Sequence, residues 1–141
     1  MKFLDNYSQQ ALGLLRIVAG LCFFEHGAMK ILHFPAAAFP GPLPPALIAA
    51  GSLELLLGAL IILGLRTKFA AFIASGEMAV AYFGFHVFNL FGMLPPGTPI
   101  SFDPQVNHGT EAALDAVIFL YIATAGGGAW AIDNILKRNQ T

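Results

Sequence analysis

One stretch decides the fold: residues 13–33, which read GLLRIVAGLCFFEHGAMKILH. At about 1.5 Å per residue, a helix of roughly 20 residues crosses the ~30 Å hydrocarbon layer of a bilayer. The stretch also contains Arg16, Glu25, His26 and Lys30, and an ionised side chain at the bilayer centre costs about 2.5 to 3.5 kcal/mol. We therefore predict a membrane helix whose charged residues have either compensating partners or a function.

The composition is that of a membrane protein. Of the 141 residues, 57% are hydrophobic and only 11% are charged, whereas soluble domains are about 25% charged. The seven Lys and Arg residues balance eight Asp and Glu residues and form no basic run, so the sequence gives no support for nucleic-acid binding. The single cysteine, Cys22, excludes an intramolecular disulfide, a C-x-x-C redox pair and a cysteine zinc site within this chain.

Four apolar segments have the length of a spanning helix, and their approximate bounds are 11–32, 46–65, 69–91 and 111–132. Proline-rich connections follow the first and third segments and cannot continue a helix. Only residues 66–68 separate the second and third segments, so these two helices must be antiparallel neighbours. The pattern predicts an all-α, integral membrane four-helix bundle that forms a single domain over residues 1–141.

The positive charges outside these segments predict the orientation. If the chain crosses the bilayer four times, one side carries Lys2, Arg66, Lys68, Lys137 and Arg138. The other side has only Lys30, at a helix end. Both termini are therefore expected in the cytoplasm.

The first helix should have one polar inward face. At about 100° per residue, Arg16, His26 and Lys30 share a narrow arc, and Glu25 lies on the far side near the outer interface. Beside this arc, small residues repeat at intervals of seven: Gly13, Gly20 and Gly27. Small residues let another helix backbone approach closely, so this face is predicted to point into the bundle.

Carboxylates in the other helices are the expected partners of this face. Arg16 and Glu77 lie at similar depths in the first and third helices, so a buried ion pair between them is expected. Glu54 lies further out, where it should meet His26 or Lys30, or compete with Glu77 for Arg16. Buried pairs of this kind are either structural or part of a ligand or proton site, and the sequence leaves both readings open.

The third helix carries a polar ridge in its outer half, formed by Tyr82, His86 and Asn89 at helical spacing. On a regular α-helix, His86 faces roughly opposite Glu77, so the two should serve different neighbours. His86 has two open roles, as a hydrogen-bonded packing residue or as a ligand or proton-exchange group.

In the fourth helix, Glu111 and Asp115 lie one turn apart near the helix N-terminus, where the macrodipole favours acidic residues. Asp115 is the deeper of the two and is a further candidate for a buried ion pair. No two histidines share a helix face at a ligand spacing, and no H-E-x-x-H or E-x-x-H motif is present. The sequence therefore predicts no metal site.

Five blocks in order cover nearly the whole chain: LLRIVAGLCFFEHGAMKI, GSLELLLGALIILGLRTKFAA, EMAVAYFGFH, NHGTEAAL and GGGAWAIDN. Together they resemble the DoxX family of small four-helix membrane proteins. Two motifs depart from the family pattern: His108 and Thr110 replace the Asn and second Gly of N-G-G-E, and Gly127 replaces the Pro of G-P-G. The resemblance implies a protein of the bacterial or archaeal inner membrane, with relatives associated with quinone-linked oxidoreductase complexes and oxidative-stress assemblies.

The leading functional hypothesis is a membrane subunit that binds a quinone or a similar apolar ligand between its helices. The polar head would meet a cluster in the outer half, whose members are His26, Lys30, Glu54, His86 and Glu111. The sequence has no flavin motif, haem ligand pair or thiol pair, so no cofactor is expected within the chain besides the quinone. Electrons would have to come from a partner protein, which makes the chain at most a subunit of an oxidoreductase complex, and no catalytic residue is assigned.

Two alternatives stay open at this point. The chain would be a non-enzymatic scaffold or assembly factor if its buried ion pairs only fix helix packing. It would conduct a proton or a small solute if the polar interior formed a path, which four helices achieve only as an oligomer or with an unusually open core.

Overall fold

The computed structural model describes residues 2–38, 41–92, 94–95 and 97–138, and within these ranges it contains helices and no strand. The elements in chain order are α1 (Lys2–Asp5), α2 (Ser8–Ile31), α3 (Pro45–Leu63), α4 (Thr67–Val80), a π segment (Ala81–Val87), α5 (Thr110–Ala125) and α6 (Ile132–Arg138). The all-α prediction is confirmed.

Three helical segments are long and apolar enough to cross a membrane, namely Ser8–Ile31, Pro45–Leu63 and Thr67–Val87. The chain is therefore a multi-pass membrane protein. α5 has 16 residues, which gives about 24 Å at 1.5 Å per residue. This length is shorter than the predicted fourth segment, residues 111–132.

The fourth helix is shorter than predicted because glycines end it. The backbone of Gly126 has φ 95° and that of Gly128 has φ 66°, a region that glycine adopts at no steric cost. The chain leaves α5 at Ala125 and starts α6 only at Ile132. The prediction of one continuous helix over 111–132 is therefore wrong beyond Ala125.

The four longest helices form an antiparallel bundle. α2 packs mainly against α3, and α4 packs mainly against α5. Contacts of α3 with α4 and of α2 with α5 close the ring. The α2 and α3 backbones approach closely at glycines: a Cβ atom on Gly27 would lie 2.7 Å from Gly51 O, and one on Gly58 would lie 2.9 Å from Phe24 Cα. The glycine side of the first helix thus packs against its neighbour, as the sequence indicates.

The middle of the bundle is an apolar layer. Its buried side chains come from α2, α3, α4 and α5 and include Phe23, Leu57, Ala74 and Phe119. The rings of Phe23 and Phe119 meet edge to face, with centroids 5.0 Å apart. Phe23 lies about two helical turns from Arg16 on one side and from Lys30 on the other, so this layer separates two polar regions.

Candidate functional site

Arg16 defines one polar region, which we call the Arg16 end and which comprises residues 61–68 and 126–134 around it. The Arg16 side chain is fully buried. Its Nε donates to Gly127 O at 2.8 Å, Nη1 donates to Ile61 O at 2.6 Å and also to Ile62 O, and Nη2 donates to Ala129 O at 3.3 Å. The guanidinium group therefore fastens α2 to the last turn of α3 and to the glycine loop after α5.

The expected ion pair between Arg16 and Glu77 is not formed. The last carbonyls of a helix have no partner within the helix and carry partial negative charge, so the end of α3 already offers acceptors to a cation. Arginine has five N–H donors in a fixed fork, so a single side chain can bond several carbonyls at once. Arg16 is accordingly a structural residue.

Asp133 completes the Arg16 end. One carboxylate oxygen accepts the backbone N–H of Arg66 and the other accepts that of Thr67, both at 2.8 Å, so α6 supplies the N-terminal cap of α4. Its own N–H donates to Gly64 O at 2.9 Å. Partial burial acts to raise the pKa of Asp133, but the hydrogen bonds from Thr67 and Arg66 outweigh it, and the pKa lies below its ordinary value.

The opposite polar region, which we call the cavity end, contains a cavity of about 510 Å³ that is lined by residues of α2, α3, α4, the π segment and α5. This volume lies within the range of about 300 to 1,000 Å³ that is typical of ligand pockets. All the ligand-binding candidates line it, namely His26, Lys30, Glu54, His86 and Glu111. Two further ionisable residues, Glu77 and His108, line the same cavity. Apolar side chains, among them Met29, Met78 and Phe85, make up much of the remaining wall.

An ion pair between Lys30 and Glu54 crosses from α2 to α3. The ammonium group donates to both carboxylate oxygens, at 2.7 Å to Oε2. The Glu54 side chain is only 3% exposed and that of Lys30 is 14% exposed. Of the three partners expected for Glu54, the structure therefore selects Lys30.

A second pair lies at the more exposed part of the cavity wall. Nε2 of His26 is 3.6 Å from Oε2 of Glu111, and the two side chains are 40% and 62% exposed. This pair joins α2 to α5 and is in contact with the surroundings of the protein.

The π segment turns the end of the third membrane helix toward the cavity. An i→i+5 turn holds more residues than an α turn and rotates less per residue. Consequently Glu77 and His86, which an α-helix would place on opposite sides, line one cavity. Nδ1 of His86 is 3.0 Å from Asn107 O, and the Tyr82 hydroxyl donates to Phe102 O at 2.7 Å, so this segment also holds the connection that precedes α5.

Glu77 lies on the cavity wall and does not meet Arg16, the partner that the sequence predicts for it. Both of its carboxyl oxygens are buried, and neither has a hydrogen-bond partner in the described part of the chain. Oδ2 of Asp115 is also buried without a hydrogen-bond partner among the described residues, but Asp115 does not line the cavity. Asp115 thus forms no ion pair with Arg16 either, since among the described residues the guanidinium donates to the carbonyls of Gly127, Ile61, Ile62 and Ala129 and to no carboxylate.

Buried polar groups without partners are rare in native proteins. The Glu77 carboxyl group can accept a hydrogen bond from a ligand hydroxyl or, when protonated, donate one to a ligand carbonyl. It is thus a cavity-lining group whose hydrogen bonds the described residues do not complete. Over the residues that the structure describes, no group of three or more His, Cys, Asp and Glu side chains is arranged to hold a metal ion.

The chain matches the DoxX family model over residues 11–87. It is also similar to an uncharacterized protein of Haemophilus influenzae, with 41% identity over 137 residues, which covers 95% of this chain and 96% of that relative. No solved structure matches it. On the family match and on this similarity along nearly its whole length, the chain belongs to the DoxX family.

Proposed function

We propose that this DoxX protein is a membrane subunit that binds a quinone, or a similar apolar ligand with a polar head, at the cavity end. The observation that carries the proposal is the Glu77 carboxyl group, which is buried on the cavity wall with both oxygens unpartnered in the described structure. A ligand head in the cavity would complete its hydrogen bonds. The same wall holds the Lys30 and Glu54 pair and His86.

The cavity has the chemical character that such a ligand needs. Its apolar wall suits a ring and an isoprenoid tail, and its ionisable residues suit a head that takes up and releases protons. A quinone supplies a redox couple of two electrons and two protons when it is bound. In the proposal Glu77 holds a proton next to the head, and His26 with Glu111 passes protons to or from water.

The electrons come from a partner protein in this proposal. The sequence has one cysteine and no flavin, haem or dinucleotide motif, so the chain carries no recognisable electron carrier of its own. It therefore acts as one subunit of a quinone-linked oxidoreductase or of an oxidative-stress complex.

The proposed topology has four crossings with both termini in the cytoplasm of a bacterial or archaeal cell. The alternating directions of α2, α3, α4 and α5 support an even number of crossings, and Arg66, Lys68 and Lys137 lie together at the Arg16 end. α5 is short for a crossing, and a bilayer accommodates a short helix by local thinning at modest cost.

Native mass spectrometry of the purified protein in detergent tests the proposal, with a benzoquinone that carries a decyl tail as the probe. We expect one saturable adduct per chain. Ala50→Phe fills the cavity wall on α3 and should weaken the adduct at least about tenfold, a change of about 1.4 kcal/mol. Leu53→Phe is the matched control, because Leu53 lies on the same helix and is exposed.

An adduct that grows without saturation, or that responds equally to Ala50→Phe and Leu53→Phe, would contradict the proposal. Melting temperatures of both variants must stay near that of the parent protein, so that a lost adduct reports the cavity and not unfolding. Subunit count in the same spectra reports whether the chain is a homo-oligomer.

A non-enzymatic scaffold or assembly factor is the second candidate, and the Arg16 end favours it. There a buried cation is bonded wholly to backbone carbonyls, which is a structural use of charge. Transport of a proton or a small solute has less support, because Phe23 and Phe119 are fully buried in contact across the middle of the bundle.

A further inference from the structure

We infer that a cleft at the Arg16 end binds the phosphate group of an anionic phospholipid. The cleft measures about 680 Å³ and lies between the start of α4, the glycine loop and α6. Three cationic side chains line it: Arg66, Lys68 and Lys137. It lies on the far side of the apolar layer from the cavity, so the inference is independent of the proposed quinone site.

The cleft's positive charge is not neutralised by its own walls. Among the described lining residues Asp133 is the one acidic residue. Both of its carboxylate oxygens accept backbone N–H groups at the start of α4. Among the described residues, neither Arg66 nor Lys137 has a carboxylate oxygen within 4 Å of its charged group. The cleft therefore carries a net positive charge that an anion would balance.

Hydrogen-bond donors are also available in the cleft. Lys68 donates to Thr124 O at 2.9 Å, which uses one of the three donors of its ammonium group. The guanidinium of Arg66 presents a planar set of N–H groups that matches a phosphate geometrically. Phosphate oxygens would accept from both side chains.

Apolar side chains beside the cations point to a lipid as the source of the phosphate. Phe69 and Leu136 line the same cleft and are 63% and 47% exposed. Phe69 lies in the first turn of a candidate membrane span, Thr67–Val87, so the cleft lies where the membrane surface meets the protein. Acyl chains would cover these side chains, which a soluble phosphate compound would leave exposed. Basic pockets at the ends of membrane helices bind anionic lipid heads in this way.

The test compares phosphatidylglycerol with phosphatidylcholine, titrated into the full chain in detergent and read by native mass spectrometry. We expect phosphatidylglycerol to bind one site preferentially. Arg66→Gln and Lys137→Gln should each weaken it about fivefold and the double variant about thirtyfold, as expected for the loss of single cations near an anionic head. Arg138→Gln is the matched control, since it removes the same charge from α6 but Arg138 does not line the cleft.

Three outcomes would overturn the inference. The first is equal binding of the two lipids, which would indicate that the cleft binds an acidic segment of a partner protein instead. The second is an equal loss from Arg138→Gln, which would mean that general surface charge attracts the lipid. The third is displacement of phosphatidylglycerol by millimolar inorganic phosphate, which would identify a soluble ligand.

Discussion

Both ends of the bundle bury ionisable side chains, and Arg16 at one end and Glu77 at the other differ in their hydrogen bonds. At the Arg16 end, the guanidinium nitrogens donate to the carbonyls of α3 and of the glycine loop. At the cavity end, Glu77 has two buried oxygens without a partner in the described chain. The difference teaches that burial alone does not distinguish structure from function. A buried guanidinium that donates to several backbone carbonyls stabilises the fold, whereas a buried carboxyl group without partners on a cavity wall is open to a ligand.

Removal of Arg16 should have the largest effect on stability. Arg16→Ala leaves the carbonyls of Ile62, Gly127 and Ala129 without the guanidinium donors, and unsatisfied buried groups cost about 1 to 3 kcal/mol each. We expect a loss of about 3 to 5 kcal/mol, measured by unfolding in detergent. Arg16→Lys should recover only part of it, because one ammonium group does not reach both α3 and the loop.

Lys137→Ala is the control for this prediction, because Lys137 is an exposed cation at the same end of the bundle. It should change the unfolding free energy by no more than about 0.5 kcal/mol. If Arg16→Ala were equally mild, the Arg16 end would not have the structural role described above.

The Lys30 and Glu54 pair should show strong coupling at the cavity end. Lys30→Met leaves the almost fully buried Glu54 carboxylate unpaired, which should cost about 3 kcal/mol. The double variant Lys30→Met/Glu54→Gln should recover most of this loss, since removal of both charges is often nearly neutral. A double-mutant cycle of unfolding free energies measures the coupling, and simple additivity of the two single changes would contradict the pairing.

Gly127 tests the tight packing at the Arg16 end, and Gly76 in α4 is the control. A Cβ atom on Gly127 would lie 2.6 Å from Ala131 Cβ, whereas one on Gly76 meets nothing within 4 Å. Gly127→Ala should therefore destabilise the protein by about 1 to 3 kcal/mol. Gly76→Ala should stabilise it by about 0.5 to 1 kcal/mol, because alanine favours the helix. Equal melting temperatures for the two variants would rule out the close contact.

The smallest predicted effect concerns Asp133. Its capping hydrogen bonds should contribute about 1 kcal/mol, which Asp133→Ala removes. Because the pKa of Asp133 is lowered by folding, this contribution is fully present above about pH 4, the ordinary Asp value. It is lost as the pH falls through the lowered pKa of the folded protein.

Unfolding of the parent and Asp133→Ala proteins from pH 7 downward measures this effect. The difference between the two proteins should be constant near neutral pH and should shrink in acid. A difference that does not change with pH would show that the carboxylate is not the source of the cap.

Much of the cavity end follows from the sequence because helical spacing determines depth. His26, Lys30 and Glu54 have a defined height at 1.5 Å per residue, and antiparallel neighbours bring residues of equal height together. The hydrogen-bond partners of Arg16 did not follow from the sequence, since backbone carbonyls at a helix end carry no side-chain signature. That Glu77 and His86 line one cavity did not follow from the sequence either, because the hydropathy pattern does not reveal a π segment.

The sequence likewise does not determine where α5 ends. A run of glycines permits both close helix packing and a helix end, and only the fold determines which applies. Here Gly127 packs against Ala131 while the backbones of Gly126 and Gly128 turn with positive φ. The cap that Asp133 provides to α4 is likewise invisible in the sequence, because the two lie more than sixty residues apart.

The most direct test of the difference between the two ends is the dissociation constant of the decyl-tailed benzoquinone for Glu77→Gln, measured together with its unfolding free energy. Glu25→Gln, an exposed position on α2, is the control. We predict that Glu77→Gln weakens quinone binding at least about tenfold while stability changes by no more than about 0.5 kcal/mol. Unchanged quinone binding, or a loss of stability as large as that of Arg16→Ala, would contradict the account.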